Sequence, residues 1–334
     1  MHVAVLYTGA LRTIRKTLRY LKQNVLLTPH VHVFACLQND TTETDNSIAQ
    51  WLDCELNINL VSLTWFKPEQ YPEWNAWRKN AVQSMQISAS WQNYLLTSGS
   101  MIEYLQLFVA YQKMWAHECQ TGMLYDYVIR MRPDNMVVRP LDFHWLKWSD
   151  SEVERRLGII RAAVANKPSI DMTVTSTTPL TREQWILNLF MITIFDDCLL
   201  ENIDNLKGTM QLSSSEHVPT TASAMNEYLR HGSYILTMRK NNIYIVRREL
   251  FYLIPSLAHL YGSFRSPLLP PHEQPFWFNS ENQFDTICYF AGLAVHNYNT
   301  TFEDESLNTY SNDKYFDADG NLRNKYMVYC LLRN

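Results

Sequence analysis

The chain has 334 residues, a formal net charge of −4, 46% hydrophobic residues and 19% charged residues, a balance that excludes a disordered chain and suits one large domain or two smaller ones. Its basic residues are scattered rather than blocked, so there is no electrostatic case for a nucleic-acid partner. No apolar run is long enough to span a membrane, and Cys36, Cys54, Cys119, Cys198, Cys288 and Cys330 form no C-x-x-C pair, so a cytoplasmic protein with reduced thiols and no transmembrane segment is expected.

His2 to Tyr7 is a short apolar run of the kind buried on both faces of a parallel sheet. Thr8-Gly9-Ala10 breaks it. From Leu11 to Asn24 the apolar residues Leu11, Ile14, Leu18 and Leu21 fall at helical spacing, and His30 to Leu37 supplies a second strand. A β-α-β opening makes these two strands parallel neighbours by the right-handed crossover rule. The Thr8-Gly9 loop is a natural place for a phosphate beside a helix N-terminus, although a single glycine is not a P-loop or a G-x-G-x-x-G fingerprint. Arg12, one turn on, either reaches the same ligand or is a solvated helix arginine.

Gln38 to Asp45 reads as a polar loop at the carboxyl end of the second strand, and Asn57 to Thr64 as a third strand. Tyr71 to Arg78 looks like an aromatic loop, Lys79 to Leu96 a helix, and Gly99 to Gln120 a long helix. In Tyr125 to Asn135, Val128, Arg130 and Arg132 share one face of a strand that Pro133 ends. Asp134 and Asn135 are therefore expected on an exposed loop past its carboxyl edge, where ligands bind in open α/β sheets. Arginines inside such a sheet need anionic partners, which a phosphate or a carboxylate would supply.

Further on, Leu157 to Ala163 reads as a strand, Asn166 to Thr181 as a polar loop, and Trp185 to Phe195 as an apolar run ending in Asp196-Asp197. Pro219 is expected to open a helix to about Arg230. Tyr234 to Met238 and Asn242 to Val246 read as short strands across a Lys-Asn turn, and Pro267 to Pro275 as a surface loop. Asp317-Ala318-Asp319 runs into Gly320 and is read as a turn rather than a metal motif.

The order of features resembles nucleotide-sugar glycosyltransferases of the GT-A fold, of the kind found in bacterial surface-polysaccharide loci and large DNA viruses. The matching stretches are Val5 to Thr13 and Tyr125 to Asp134, with a looser match over Ile194 to Asp197 and Glu216 to Gly232. The resemblance implies an α/β fold, a Rossmann-like mixed sheet flanked by helices, with a less regular C-terminal acceptor-side region. It divides the chain into residues 1–141, holding a nucleoside diphosphate sugar donor, and 142–334, holding a glycan acceptor and a C-terminal extension. If the source is viral, the location is the host cytoplasm.

By the same resemblance Thr8, Gly9 and Arg12 lie against the nucleotide, and Asp40 meets its base or ribose. Asp134 takes the metal-binding position of an Asp-x-Asp motif for Mn²⁺ or Mg²⁺, but Met136 stands where the second acid belongs. A single carboxylate suffices for some Mg²⁺ sites; alternatively Arg130 and Arg132 neutralise the diphosphate without metal. Transfer with inversion needs a base, for which Asp196, Asp197 and Glu216 are candidates. Asp197 is equally a helix cap, and Glu216 equally a residue placed for a helix dipole. The 10 Trp, 19 Tyr and 14 Phe suit sugar rings as well as cores; Tyr71, Trp74 and Trp77 form an acceptor platform or pack their loop onto the domain. The competing function is a catalytically inactive carbohydrate-binding or scaffold protein with the same ancestry.

Overall fold

The computed structural model describes residues 1–165, 180–203, 209–211, 218–264, 278–298, 316–319, 323 and 328–331. Its strands in chain order are β1 (Val3–Ala10), β2 (Val31–Gln38), β3 (Leu60–Trp65), β4 (Tyr127–Met131), β5 (Asn135–Val137), β6 (Thr209–Gln211), β7 (Tyr234–Arg239), β8 (Ile243–Arg247), β9 (Ala294–Asn297) and β10 (Tyr329–Leu331). The protein has an α/β fold built on a mixed sheet with flanking helices. Its chain forms two compact units, one from residues 1–14, 28–133 and 241–287, the other from 15–27, 134–240 and 288–334. Among the described residues no helix is long and apolar enough to cross a membrane.

In the first unit the strand order is β3-β2-β1-β4-β8. β1 pairs in parallel with both β2 and β4, β3 extends the parallel set beyond β2, and β8 runs antiparallel to β4. Val3 to Tyr7 and Val33 to Leu37 are buried throughout, as expected of central strands covered on both faces. The helix Ser100–Thr121 lies against β1 and β2. It stops at Gly122, whose left-handed φ of +70° is open to glycine without strain.

In the second unit β7 pairs in parallel with β9, β6 is antiparallel to β9, and β5 and β10 form a separate antiparallel pair. The helix Asp150–Ala165 packs against the helices Arg182–Ile192 and Ala222–His231. Leu157 to Ala163, expected as a strand, lies inside the first of these. The reason is visible once the window is widened: Val153, Leu157, Ile160 and Val164 are buried at helical spacing, and the apolar run is only one stripe of that helix.

Tyr71 to Arg78 is likewise not a loop. Pro72 opens a helix over Pro72–Ser84, and the expected helix Lys79 to Leu96 is two helices, the second being Ala89–Thr97 with Ser88 as its cap. A proline at the first helical position donates nothing that a helix would use, which is why it starts one here. Pro133 does end β4, and Asp317 to Asp319 do form a turn, with the Asp319 amide donating to Asp317 Oδ1 at 3.0 Å.

His296 in β9 is fully buried. Its Nε2 meets the Tyr228 hydroxyl at 2.9 Å, and its Nδ1 has no partner. Burial pushes its pKa down to about 3. The unfolded chain therefore takes up this proton first, so the contribution to stability is complete above about pH 6.5 and falls as the pH drops from there toward 3. Urea midpoints between pH 7.5 and 4.5 should show a loss approaching about 1.4 kcal/mol per pH unit. His296→Gln should flatten that slope, and an unchanged slope would mean that another group carries it.

Candidate functional site

The parallel strands of the first unit reverse their direction of spread at one place. From β1 the chain moves outward to β2 and then β3, and then returns to lay β4 on the other side of β1. The carboxyl ends of β1 and β4 therefore flank a topological switch point, the position at which open α/β sheets leave a crevice for ligands. β1 ends in Thr8-Gly9-Ala10, and β4 runs into Arg132-Pro133.

Gly9 has φ of +140°, and a Cβ there would sit 3.1 Å from Pro133 Cδ. Both the backbone angle and the approach of the two loops require glycine. Just beyond it, Arg12 has a positive φ of 36°, a conformation in which an L residue is strained and which recurs at ligand-binding sites. The turn is held by the Leu11 amide, which donates to the Gln38 carbonyl, and by the Arg12 amide, which donates to Asp40 Oδ1, each at 3.0 Å. Arg12 and Asp40 are exposed. Thr8 departs from the expectation: it is fully buried with its hydroxyl unpartnered, so it lies beneath the surface that Gly9 and Arg12 present.

The two arginines of the β4 region differ sharply. Arg130 is 1% exposed. Its Nη1 donates to the carbonyls of Asn241 and Asn242 at 2.6 Å each, and its Nη2 pairs with Glu103 at 2.5 Å. The expected phosphate contact by Arg130 is therefore corrected: its donors face protein acceptors, and it ties β4 to the start of β8 and to the long helix. Arg132 is half-buried, and its Nη1 donates to Asn242 Oδ1 at 2.8 Å. Glu103, Asn241 and Asn242 did not stand out in the sequence; the turn between two apolar strands was the signal for the asparagines, and an acidic first turn of the long helix the signal for Glu103.

Asp134 was expected to be exposed. It belongs to the second unit and is 1% exposed, and the adjacent Asn135 and Met136 are buried too, because β5 follows at once and pairs with β10. The described residues contain no cluster of three or more His, Cys, Asp or Glu able to hold a metal ion. Among the described residues, protein side chains therefore offer no such group around Asp134.

Asp196 and Asp197, also in the second unit, are engaged in local structure. Asp196, rather than Asp197, caps the short helix Asp197–Glu201: one of its oxygens accepts from the Cys198 amide at 2.9 Å and the other from Arg139 at 2.7 Å. Asp197 is hydrogen-bonded to Arg156 and lies 3.7 Å from Arg155. Arg156 is buried, with its guanidinium 3.9 Å over the Trp148 ring. The Arg155 hydrogen bond, assisted by Arg156, holds the neighbouring Glu152 carboxyl down to about 2. Both carboxylates are thus engaged with arginine partners. Glu216 lies outside the described residues.

The aromatic platform resolves toward packing. Trp74 is buried and donates from Nε1 to the Ala258 carbonyl at 2.8 Å, Tyr71 stacks on Phe66, and Trp77 lies against His259.

The strand order defines the protein as an α/β protein with a topological switch point at the carboxyl ends of β1 and β4. No family model matches the chain, and no curated protein matches it. Among solved structures, the apo form of mouse xyloside xylosyltransferase 1 is similar to it at 11% identity and a TM-score of 0.29, over 86% of this chain and 80% of that one. A likeness at that level assigns neither fold nor activity.

Proposed function

We propose that the β1/β4 switch point binds a nucleoside diphosphate and that the protein is a GT-A-type glycosyltransferase, moving a sugar from a nucleoside diphosphate sugar to a carbohydrate or glycoconjugate hydroxyl. The observation that supports this most directly is the switch in strand order between β1 and β4. A glycine-only backbone position, a strained Arg12 and the half-buried Arg132 all lie on the segments that follow β1 and β4 at one switch point, the edge where α/β sheets hold phosphorylated ligands. Guanidinium groups suit a diphosphate because they donate in parallel pairs and stay charged.

In this reading the Gly9 backbone lets the diphosphate approach closely. Arg12 and Arg132 neutralise it and stabilise charge on the departing nucleoside diphosphate. Asp40, already fixing the Arg12 amide through Oδ1, offers its second oxygen to the ribose or base. Mn²⁺ or Mg²⁺, if carried in by the diphosphate, would add positive charge there.

The test is a thermal-shift panel of UDP, GDP and CDP, each with and without Mn²⁺. A matching nucleotide at a hundredfold excess over its dissociation constant stabilises the fold by about 2.7 kcal/mol. Arg132→Ala should remove most of the shift while leaving the unliganded melting temperature within a few degrees. If no diphosphate shifts the wild-type protein, the reading fails. A metal-independent shift would favour charge neutralisation by arginine alone.

A second reading, an inactive carbohydrate-binding or scaffold protein, is favoured by the structural engagement of Asp196 and Asp197 and by Met136 in place of an acid. Release of free sugar from a bound nucleotide sugar without acceptor would exclude it.

A further inference from the structure

At the edge of the first unit opposite the switch point, four histidines gather. His2 precedes β1, His30 precedes β2, His32 lies in β2, and His117 sits near the end of the helix Ser100–Thr121. The rings of His2 and His30 meet edge to face with centroids 5.0 Å apart, and those of His32 and His117 do so at 5.5 Å. The Tyr125 hydroxyl bridges the second pair, 2.8 Å from His32 Nδ1 and 3.1 Å from His117 Nδ1. Tyr125 is buried, and the Phe34 ring lies against both it and His117.

A phenol has one proton, so its hydroxyl donates to one ring and must accept from the other. Burial raises the Tyr125 pKa, which keeps that proton in place. The bridge survives one imidazolium, because a protonated Nδ1 is the donor that the hydroxyl already accepts. A second imidazolium turns both rings into donors. The phenol proton then loses its acceptor, and two cations face each other.

The surroundings do not offset that second charge. On the helix, Glu118 is committed to Arg248, at 2.9 and 2.7 Å, and to the Tyr125 amide, while Lys113 one turn before His117 is a further cation. After the helix, Asp126 accepts from the His2 amide at 2.7 Å. The strand starts add only His2 and His30. Burial, followed by the charges of His117, His2 and His30, holds the His32 pKa below its ordinary value.

We propose that His32, Tyr125 and His117 form a pH-sensitive latch: it ties the end of the long helix to β2 at neutral pH, and protonation of both rings releases residues 122–126, which deliver the chain into β4. Histidine is suited to this because its charge changes close to neutral pH.

The experiment is amide hydrogen exchange on the full chain, with rates corrected for the intrinsic effect of pH. The Tyr125 amide donates to Glu118 Oε1 at 3.3 Å and the Asp126 amide to the His2 carbonyl at 2.8 Å, so both report the segment. Their protection should fall about tenfold from about pH 7.5 to about pH 5.5, while that of Ala110, in the middle of the same helix, stays level. His117→Gln still offers the hydroxyl a partner but takes no proton, and should keep the protection at the acid end. Tyr125→Phe should show, already at the neutral end, the exchange that the wild type reaches in acid. Wild-type protection that is equal at both ends would overturn the inference, as would a fall that persists in His117→Gln or a Tyr125→Phe protein that exchanges like the wild type. A fall at Ala110 in step with Asp126 would also overturn it, since acid would then loosen the whole fold rather than one latch.

Discussion

Arg130→Ala is expected to destabilise the protein by about 3 kcal/mol, because it removes the donors of two buried carbonyls and the partner of a carboxylate together. The carbonyls belong to Asn241 and Asn242, which are 3% and 5% exposed, while Arg130 itself is 1% exposed. An unsatisfied buried acceptor costs about 1–3 kcal/mol, and two are created here. Glu103 contributes less, since its side chain is 18% exposed and water can replace part of the pairing. Glu103→Gln should therefore cost only about 1 kcal/mol, because Arg130 keeps both carbonyls. Urea unfolding would show the difference as a lower midpoint at unchanged slope. If Arg130→Ala unfolds at the wild-type midpoint and loses ligand affinity alone, Arg130 belongs to the binding surface after all.

The second large effect is expected at Gly9. Gly9→Ala must adopt φ near +140° and brings a methyl group to 3.1 Å from Pro133 Cδ. Strain at such an angle costs about 1–3 kcal/mol, and relief by separating the Gly9 and Pro133 loops would displace Arg12 and Arg132 as well. Stability should fall by about 2 kcal/mol, and the nucleoside diphosphate shift should disappear. Gly122→Ala is the control. It also has positive φ, at +70°, but a Cβ there meets nothing within 4 Å. It should cost about 1 kcal/mol and leave ligand binding unchanged. Equal effects of the two substitutions on binding would mean that the crevice is not where Gly9 lies.

Much of the first unit was legible in the sequence, because its signals are local. Continuous apolar runs marked β1 and β2, and the crossover rule made them parallel neighbours, as they are. Pro133 ended β4 as a proline must. The errors also have local causes. The run Leu157 to Ala163 is too short to distinguish a strand from one stripe of a helix, and the acidic first turn at Asp150 and Glu152 was the overlooked sign of the helix start. Pro72 lies in a stretch whose sequence reads as a loop, yet it opens a helix.

The site residues divide along a different line. Periodicity could place Arg130 and Arg132 on one strand, but not say that one is enclosed and the other half-open. The two carbonyls that enclose Arg130 come from residues 111 and 112 positions away along the chain, and Asp196 meets Arg139 across 57 positions. By itself the sequence determined the α/β class, the opening β-α-β and the strand end that carries charge, since each follows from residues within a few positions of one another. Only the tertiary structure decided which charges are enclosed by distant partners and which stay half-open or exposed: burial and hydrogen-bond satisfaction depend on segments that no local pattern brings together.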